Sequence, residues 1–199
     1  MISAVYIIFS PMPQIKNEKL ENFLKQLKKF GKQNNIPNIS EKNAEYLKTL
    51  IQSRGVKNIL EIGTANGYSS IQFASVMSEI WGSITTIEFS QLAFEMAQEN
   101  IEASWLSSYI IQYYGDAREI IPHLDWDYDM IFIDGLKKAS LQFYQLAQEK
   151  LQPWGIIIID DVIKFRHKME ELYTYLKENN IPYKLEQIDE DDGIMILEQ

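Results

Sequence analysis

Three aspartates and one lysine have the types and spacing to do chemistry. Asp134 follows the apolar run Met130–Ile133, and Asp160-Asp161 follow the isoleucine run Ile156–Ile159. Lys137 stands three residues past Asp134. Carboxylates gathered at one edge repel each other and raise one another's pKa values. A hard divalent cation resolves that conflict, because Mg²⁺ takes oxygen ligands and keeps positions open for water or substrate. The competing assignment is local: Asp160 and Asp161 can simply cap the turn or helix that follows. A lysine beside a metal centre can take or stabilise the proton of an acidified hydroxyl. Away from one it is a surface lysine, as Lys138 is read.

A second group surrounds Leu60-Glu61-Ile62-Gly63-Thr64-Ala65-Asn66-Gly67-Tyr68-Ser69. An apolar run stops at Gly63, and a helical pattern begins after Gly67. Strand, glycine turn and helix in that order bring backbone N–H groups close to a ligand. Glu61 is expected to point at whatever the turn holds. Glu88 lies 25 residues after Gly63, at the end of the next strand. An acid there can accept hydrogen bonds from ribose hydroxyls, which suits a dinucleotide or any nucleoside-bearing cofactor. The dinucleotide fingerprint needs G-x-G-x-x-G, and Ala65 takes the place of its second glycine. Close approach of a diphosphate is therefore disfavoured.

These residues need a frame, and the chain alternates. Strands are expected at Lys57–Gly63, Ser83–Phe89, Tyr109–Tyr114, Met130–Ile133 and Gly155–Ile159. Helices are expected at Gly67–Ile80, Gln91–Ala103 (capped by Ser90), Asp116–Ile121 (closed by Pro122), Lys138–Leu151 and Lys164–Glu178. Tyr183–Ile188, an acidic turn from Asp189 to Asp192, and Ile194–Leu197 read as a terminal hairpin. Wholly apolar strands alternating with helices mean an α/β, Rossmann-like fold. The expected sheet has seven strands, mostly parallel, with helices on both faces and a C-terminal antiparallel hairpin. Ligands in such a sheet bind beyond the carboxyl ends of the strands. All five parallel strands end in at least one carboxylate: Glu61, Glu88, Asp116, Asp134 and Asp160-Asp161.

Ahead of this domain, residues 1–35 read as an N-terminal arm and an amphipathic helix, with the α/β domain over 36–199. Leu20, Phe23, Leu24, Leu27 and Phe30 form the apolar stripe, with Lys25, Lys28, Lys29 and Lys32 as a solvated face. Asn34-Asn35-Ile36-Pro37 breaks the helix. Ser40 caps the next one, which turns Ala44, Leu47, Leu50 and Ile51 inward. Met1–Phe9 is apolar but too short to span a bilayer, so no membrane association is expected. The chain has no cysteine, which excludes a disulfide framework and thiolate metal sites and fits a cytoplasmic location. The formal net charge of −9 argues against general nucleic-acid affinity. Locally the balance reverses: Ile15 to Asn34 holds six lysines and two glutamates.

Taken together, Glu61–Ser69, Ile133-Asp134-Gly135-Leu136-Lys137 and Ile159-Asp160-Asp161-Val162 resemble the class I S-adenosylmethionine-dependent, divalent-metal-dependent O-methyltransferases. That family includes catechol and caffeoyl-CoA O-methyltransferases and a bacterial tRNA 5-hydroxyuridine methyltransferase. The resemblance covers roughly Ile36 to the C-terminus. It implies that Glu61, Gly63, Thr64 and Ser69 surround the methionine part of the cofactor, Glu88 the ribose, and Asp116 and Ala117 the adenine. It implies that Asp134, which borders the cofactor too, binds Mg²⁺ or a similar ion together with Asp160 and Asp161. Lys137 and Asp134 are the implied catalytic residues. Many members have Asp-Asn where this chain has Asp160-Asp161, which adds a carboxylate without removing an oxygen ligand. A homodimer is also an expectation from the resemblance.

The acceptor is open between two classes. Lys164, Phe165 and Arg166, with Lys137, Lys138 and the basic helix, can receive a phosphate backbone while Phe165 stacks on a base. That is the tRNA reading. A small catechol-like or other vicinal-oxygen acceptor needs only chelation and an apolar wall, to which Phe165, Trp126 or Trp154 can contribute. An inactive cofactor-binding module and an NAD-type oxidoreductase are the other classes. The full set of acids with Lys137 counts against the first, and Ala65 against the second.

Overall fold

The computed structural model describes residues 14–125, 127–190 and 193–198. The arm Met1–Phe9, Trp126, and Asp191 and Asp192 of the acidic turn lie outside the described residues. Two helices, α1 (Gln14–Gln33) and α2 (Glu41–Arg54), lead into β1 (Asn58–Ile62). There follow α3 (Tyr68–Ile80), β2 (Ser83–Glu88), α4 (Gln91–Ala103), β3 (Ile110–Tyr114) and the single turn α5 (Ala117–Ile120). The chain closes with β4 (Tyr128–Ile133), α6 (Ser140–Gln148), β5 (Leu151–Ile159), α7 (Glu170–Glu178), β6 (Lys184–Gln187) and β7 (Gly193–Glu198).

The strands form one seven-stranded sheet in the order β3-β2-β1-β4-β5-β7-β6. Strands β1 to β5 pair in parallel, and β7 is antiparallel to both β5 and β6. This is the α/β, mostly parallel architecture with a terminal hairpin that the alternation predicts. Strand order reverses between β1 and β4, so the crevice for a ligand opens there.

Alternation along the strands builds a core on each face. Ile59, Phe132, Ile156 and Ile158 pack under α1, α2, α3 and α4. Leu60, Ile62, Ile131, Ile133, Ile157 and Ile159 pack under α5, α6 and α7. Helix α1 belongs to the first core through Leu20, Leu24 and Leu27, each buried and each contributing roughly 1.5–3 kcal/mol of burial. Phe30, expected on that stripe, is 44% exposed, because the buried stripe continues from Leu27 to Gly31 and leaves Phe30 one residue off it.

Local chemistry sets the boundaries. Ser40 Oγ accepts the Asn43 N–H at 3.0 Å and starts α2, and Gly55 ends it at φ +66°. Two expected helices are shorter than their apolar patterns. The Lys138–Leu151 helix ends at Gln148, since Leu151 is already paired with Tyr128 in the sheet. The Lys164–Glu178 helix starts only at Glu170. Asp161 at φ +64° turns the chain, and residues 162–169 form a loop with one 3₁₀ turn at Arg166–Lys168. Among the described residues no helix is long and apolar enough to cross a membrane.

Candidate active site

Sheet register brings the acids together. The ladder runs one residue past each strand: Gly63 N–H donates to Ile87 O at 3.0 Å, Asp134 N–H to Ile62 O at 2.9 Å, and Asp160 N–H to Ile133 O at 3.0 Å. Gly63, Asp134 and Asp160 therefore stand side by side on neighbouring strand ends. Asp161 follows in the left-handed region, which Asp and Asn enter more readily than most residues. Carboxylate oxygens of Asp134, Asp160 and Asp161 all lie within 4.8 Å of one another. Lys137, on the short turn after β4, reaches back with Nζ 2.5 Å from Asp134 Oδ1 and 2.9 Å from Asp161 Oδ2.

The charges in this cluster do not balance. Burial, then the neighbouring Asp134 and Asp161 charges, push Asp160 well above the usual carboxylate range. Asp134 is raised too, by burial first and partly relieved by Lys137. Burial alone would lower the Lys137 ammonium, but Asp134 and Asp161 outweigh it and hold its pKa above the ordinary lysine value. Lys137 pairs with two of the three carboxylates, and the third, Asp160, is buried. Hard oxygen donors at this spacing with unmet negative charge fit a divalent cation of the Mg²⁺ or Mn²⁺ kind.

Two cavities meet at the cluster. One, of about 610 Å³, lies over the strand ends at the switch point. Gly63, Thr64, Ala65, Ser69, Glu88, Asp116, Ala117, Asp134 and Lys137 all line it, so most residues assigned to the cofactor converge on one space. Gly63 is required there: at φ +101°, a Cβ would stand 2.8 Å from Asp134 O. Ala65 adopts φ +49°, so the turn keeps a left-handed residue without a glycine. Glu88 Oε2 accepts the N–H groups of Thr64 at 3.1 Å and Ala65 at 2.9 Å, and Oε1 that of Ser90 at 2.8 Å. The carboxylate thus braces the glycine turn from the cavity wall. Asp116 caps α5 and is locked to Arg118, whose side chain holds its pKa down.

The second cavity, of about 740 Å³, opens on the other side of the acids. Asp134, Asp160, Asp161, Asn43, Lys28, Lys164 and Ile188 are among its walls, with Asp189 and Glu190 of the acidic turn. Pro37, Asn38, Ile39 and Phe165 line both cavities and partition them. Lys28 secures that partition by donating to the carbonyls of Asn38, at 3.0 Å, and Ile39. Its ammonium also sits 5.0 Å from the Tyr68 ring centroid, and burial lowers its pKa. The lysine face of α1 is therefore not uniformly solvated.

Several assigned residues stand elsewhere. Glu61 lines neither of the two cavities. It shares the parity of Ile59, so it points to the α3 face, fully buried, where Ser70 and Thr86 hydroxyls donate to Oε2. Its Oε1 has no hydrogen-bond partner, and burial raises its pKa to about 7. Arg166 lines neither cavity, its guanidinium lying 3.9 Å from the Tyr173 ring centroid. Trp154 is 72% exposed near Arg54 and Asp129, away from the acids. Lys164 and Phe165 line the second cavity, and Phe165 and Lys168 the first. Asn43 and Lys28 are absent from the sequence-derived site. For Asn43 the available signal is a polar residue four before Leu47 on the inward stripe of α2.

Comparison with known proteins agrees with this geometry. The profile of the O-methyltransferase family matches residues 14–196. The catechol O-methyltransferase of Niastella koreensis is 33% identical over 140 residues, covering 68% of this chain and 63% of that protein. The one from Mycobacterium tuberculosis is 26% identical over 127 residues, covering 63% and 57%. The aligned part thus spans about three-fifths of the length of these relatives. Among solved structures, a Staphylococcus aureus protein described as a candidate caffeoyl-CoA O-methyltransferase superposes with TM-score 0.78 at 26% identity, covering 94% of this chain and all of its own. A Bacillus cereus O-methyltransferase in complex with SAH gives TM-score 0.79 at 23% identity, covering 98% and 94%. With that profile covering most of its length, the chain belongs to the O-methyltransferase family.

Proposed function

We propose that the chain is an S-adenosylmethionine-dependent, divalent-metal-dependent O-methyltransferase acting on a small acceptor with neighbouring oxygens. The observation that carries this reading is the junction: Asp134 and Asp161 line both cavities, so the acidic cluster stands where cofactor and acceptor spaces meet. Gly63, Thr64, Ala65 and Ser69 would hold the methionine part of the cofactor, Glu88 the ribose, and Asp116 and Ala117 the adenine. Asp134, Asp160 and Asp161 would hold the cation. When bound, the two groups supply an electrophilic methyl and a lowered pKa at the acceptor hydroxyl.

The chain's own residues do the rest. The partition of Pro37–Ile39 and Phe165 leaves the two cavities in contact at the acids, which restricts where an acceptor oxygen can meet the methyl. Lys137 Nζ, held protonated beside the acids, is placed to stabilise the developing charge of that oxygen. Ile39, Phe165 and Ile188 give the acceptor cavity its apolar wall.

A second reading, methylation of 5-hydroxyuridine in tRNA, is favoured by the loop after β5. Lys164 and Lys168 ammoniums lie 5.4 and 4.6 Å from the Phe165 ring centroid, a cationic aromatic platform suited to a nucleotide. Arg166 spent on Tyr173, acidic Asp189 and Glu190 on the cavity wall, and the net charge of −9 weigh towards the small acceptor. The test is labelled methyl transfer from S-adenosylmethionine with Mg²⁺ or with chelator, to a catechol and to tRNA bearing 5-hydroxyuridine in parallel. Metal-dependent label in the catechol is the expected result. Label in tRNA alone moves the assignment to RNA modification, and chelator-resistant label removes the metal.

A further inference from the structure

We propose that Asn43 is a positioning residue of the acidic cluster, one that orients the Asp160 carboxylate for a divalent cation. The inference rests on the metal reading above and goes beyond it by adding a residue from α2. Asn43 shares the buried stripe of α2 with Leu47 and Ile51, where an apolar side chain would pack at no polar cost. It is 7% exposed, and a buried amide is unfavourable unless paired. The Ser40 cap fixes the first turn of α2 and hence the direction in which residue 43 points.

That direction is Asp160. Asn43 Nδ2–H donates to Asp160 Oδ1 at 2.9 Å, across 117 residues of sequence. Fixing one carboxylate oxygen fixes the plane of the group, and so where the other oxygen points. The reverse amide orientation would set oxygen against oxygen. Asn43 Oδ1 is buried and has no hydrogen-bond partner, although the residue lines the acceptor cavity. An amide kept only for packing gains nothing from that orphan. Partners that orient a ligand carboxylate are worth about 10–100-fold in metal affinity.

The test is calorimetric titration of Mn²⁺ into the wild type and the Asn43→Ala and Asn43→Leu variants, with S-adenosylmethionine titration and metal-free thermal unfolding alongside. Mn²⁺ affinity is expected to fall about tenfold or more in both variants. Cofactor affinity should hold within about twofold, and both metal-free variants should still unfold cooperatively, at a somewhat lower temperature because the buried Asp160 Oδ1 loses its donor. The acceptor KM should rise as well. Asn43→Ala leaves the helix intact if the bulkier leucine does not fit. Unchanged Mn²⁺ affinity in the folded variants overturns the proposal and makes Asn43 a packing residue. Absence of Mn²⁺ binding by the wild type overturns the metal reading itself, and this inference with it.

Discussion

Lys137 and Asp134 form an ion pair at 2.5 Å within a single turn after β4. The lysine is thereby held at the place where the acceptor oxygen must lie if the proposed chemistry is right. Removing it with Lys137→Met keeps the length of the side chain and deletes the ammonium. Methyl transfer should drop by about 10²-fold or more, the usual contribution of a positioned acid or base. S-adenosylmethionine affinity should fall far less than transfer does, because the turn and Glu88 are untouched although Lys137 borders the cavity. A Lys137→Met enzyme with normal turnover would make the lysine a counter-charge only.

Asp160→Ala should abolish metal-dependent transfer while leaving the cofactor cavity formed, since Asp160 does not line it. Asp134→Ala should abolish transfer and weaken cofactor binding as well, because Asp134 borders both spaces. Paired calorimetry of Mn²⁺ and S-adenosylmethionine separates the two. Equal loss of cofactor binding in both variants would contradict the division of labour drawn between the cavities.

Glu61 predicts a pH dependence of stability. Its pKa in the fold is about 7, raised by burial. The unfolded chain releases that proton in the ordinary glutamate range, whereas the fold retains it up to about 7. Stability contributed by this group is therefore greatest at acid pH and falls as pH rises through that window. The full effect is about 3 kcal/mol. Glu61→Gln keeps the shape without the titration. Its unfolding free energy, from urea melts between pH 4 and 8, should lie nearest wild type at pH 4 and exceed it most at pH 8. Parallel curves would remove Glu61 as the source.

The acids and Lys137 were legible because strand ends are readable from apolar runs. Once β4 and β5 are neighbours, Asp134 and Asp160 meet by register alone. The same reading fails for Asn43, whose partner is 117 residues away on an element that spacing cannot orient. Position at a strand end does not by itself give parity, and the parity of Ile59 turns Glu61 under α3. Lys28 has the pattern of a solvated lysine, and only the return of the chain at Asn38 and Ile39 gives it carbonyls to bind. Arg166 belongs to a segment expected to be helical from Lys164, where the chain instead forms a loop with a 3₁₀ turn and α7 starts only at Glu170.

Gly63 and Gly55 both sit at positive φ, yet substitution should affect them differently. At Gly55, φ +66°, an added Cβ meets nothing within 4 Å. Gly55→Ala should therefore cost only the left-handed backbone, about 1 kcal/mol, with no effect on ligands. At Gly63 the Cβ would stand 2.8 Å from Asp134 O, 2.9 Å from Asp134 C and 3.0 Å from Gly135 N. All three are backbone atoms of the turn that carries a proposed metal ligand, so relief requires the turn to move. Gly63→Ala should cost about 3 kcal/mol or more from strain and overpacking together. It should also weaken Mn²⁺ and S-adenosylmethionine binding at once, since displacement of Asp134 disturbs both cavities. Denaturant melts of both variants with the two titrations check this. Loss of cofactor affinity in Gly63→Ala with Mn²⁺ affinity intact would show that the glycine serves the turn alone and does not couple it to the acids.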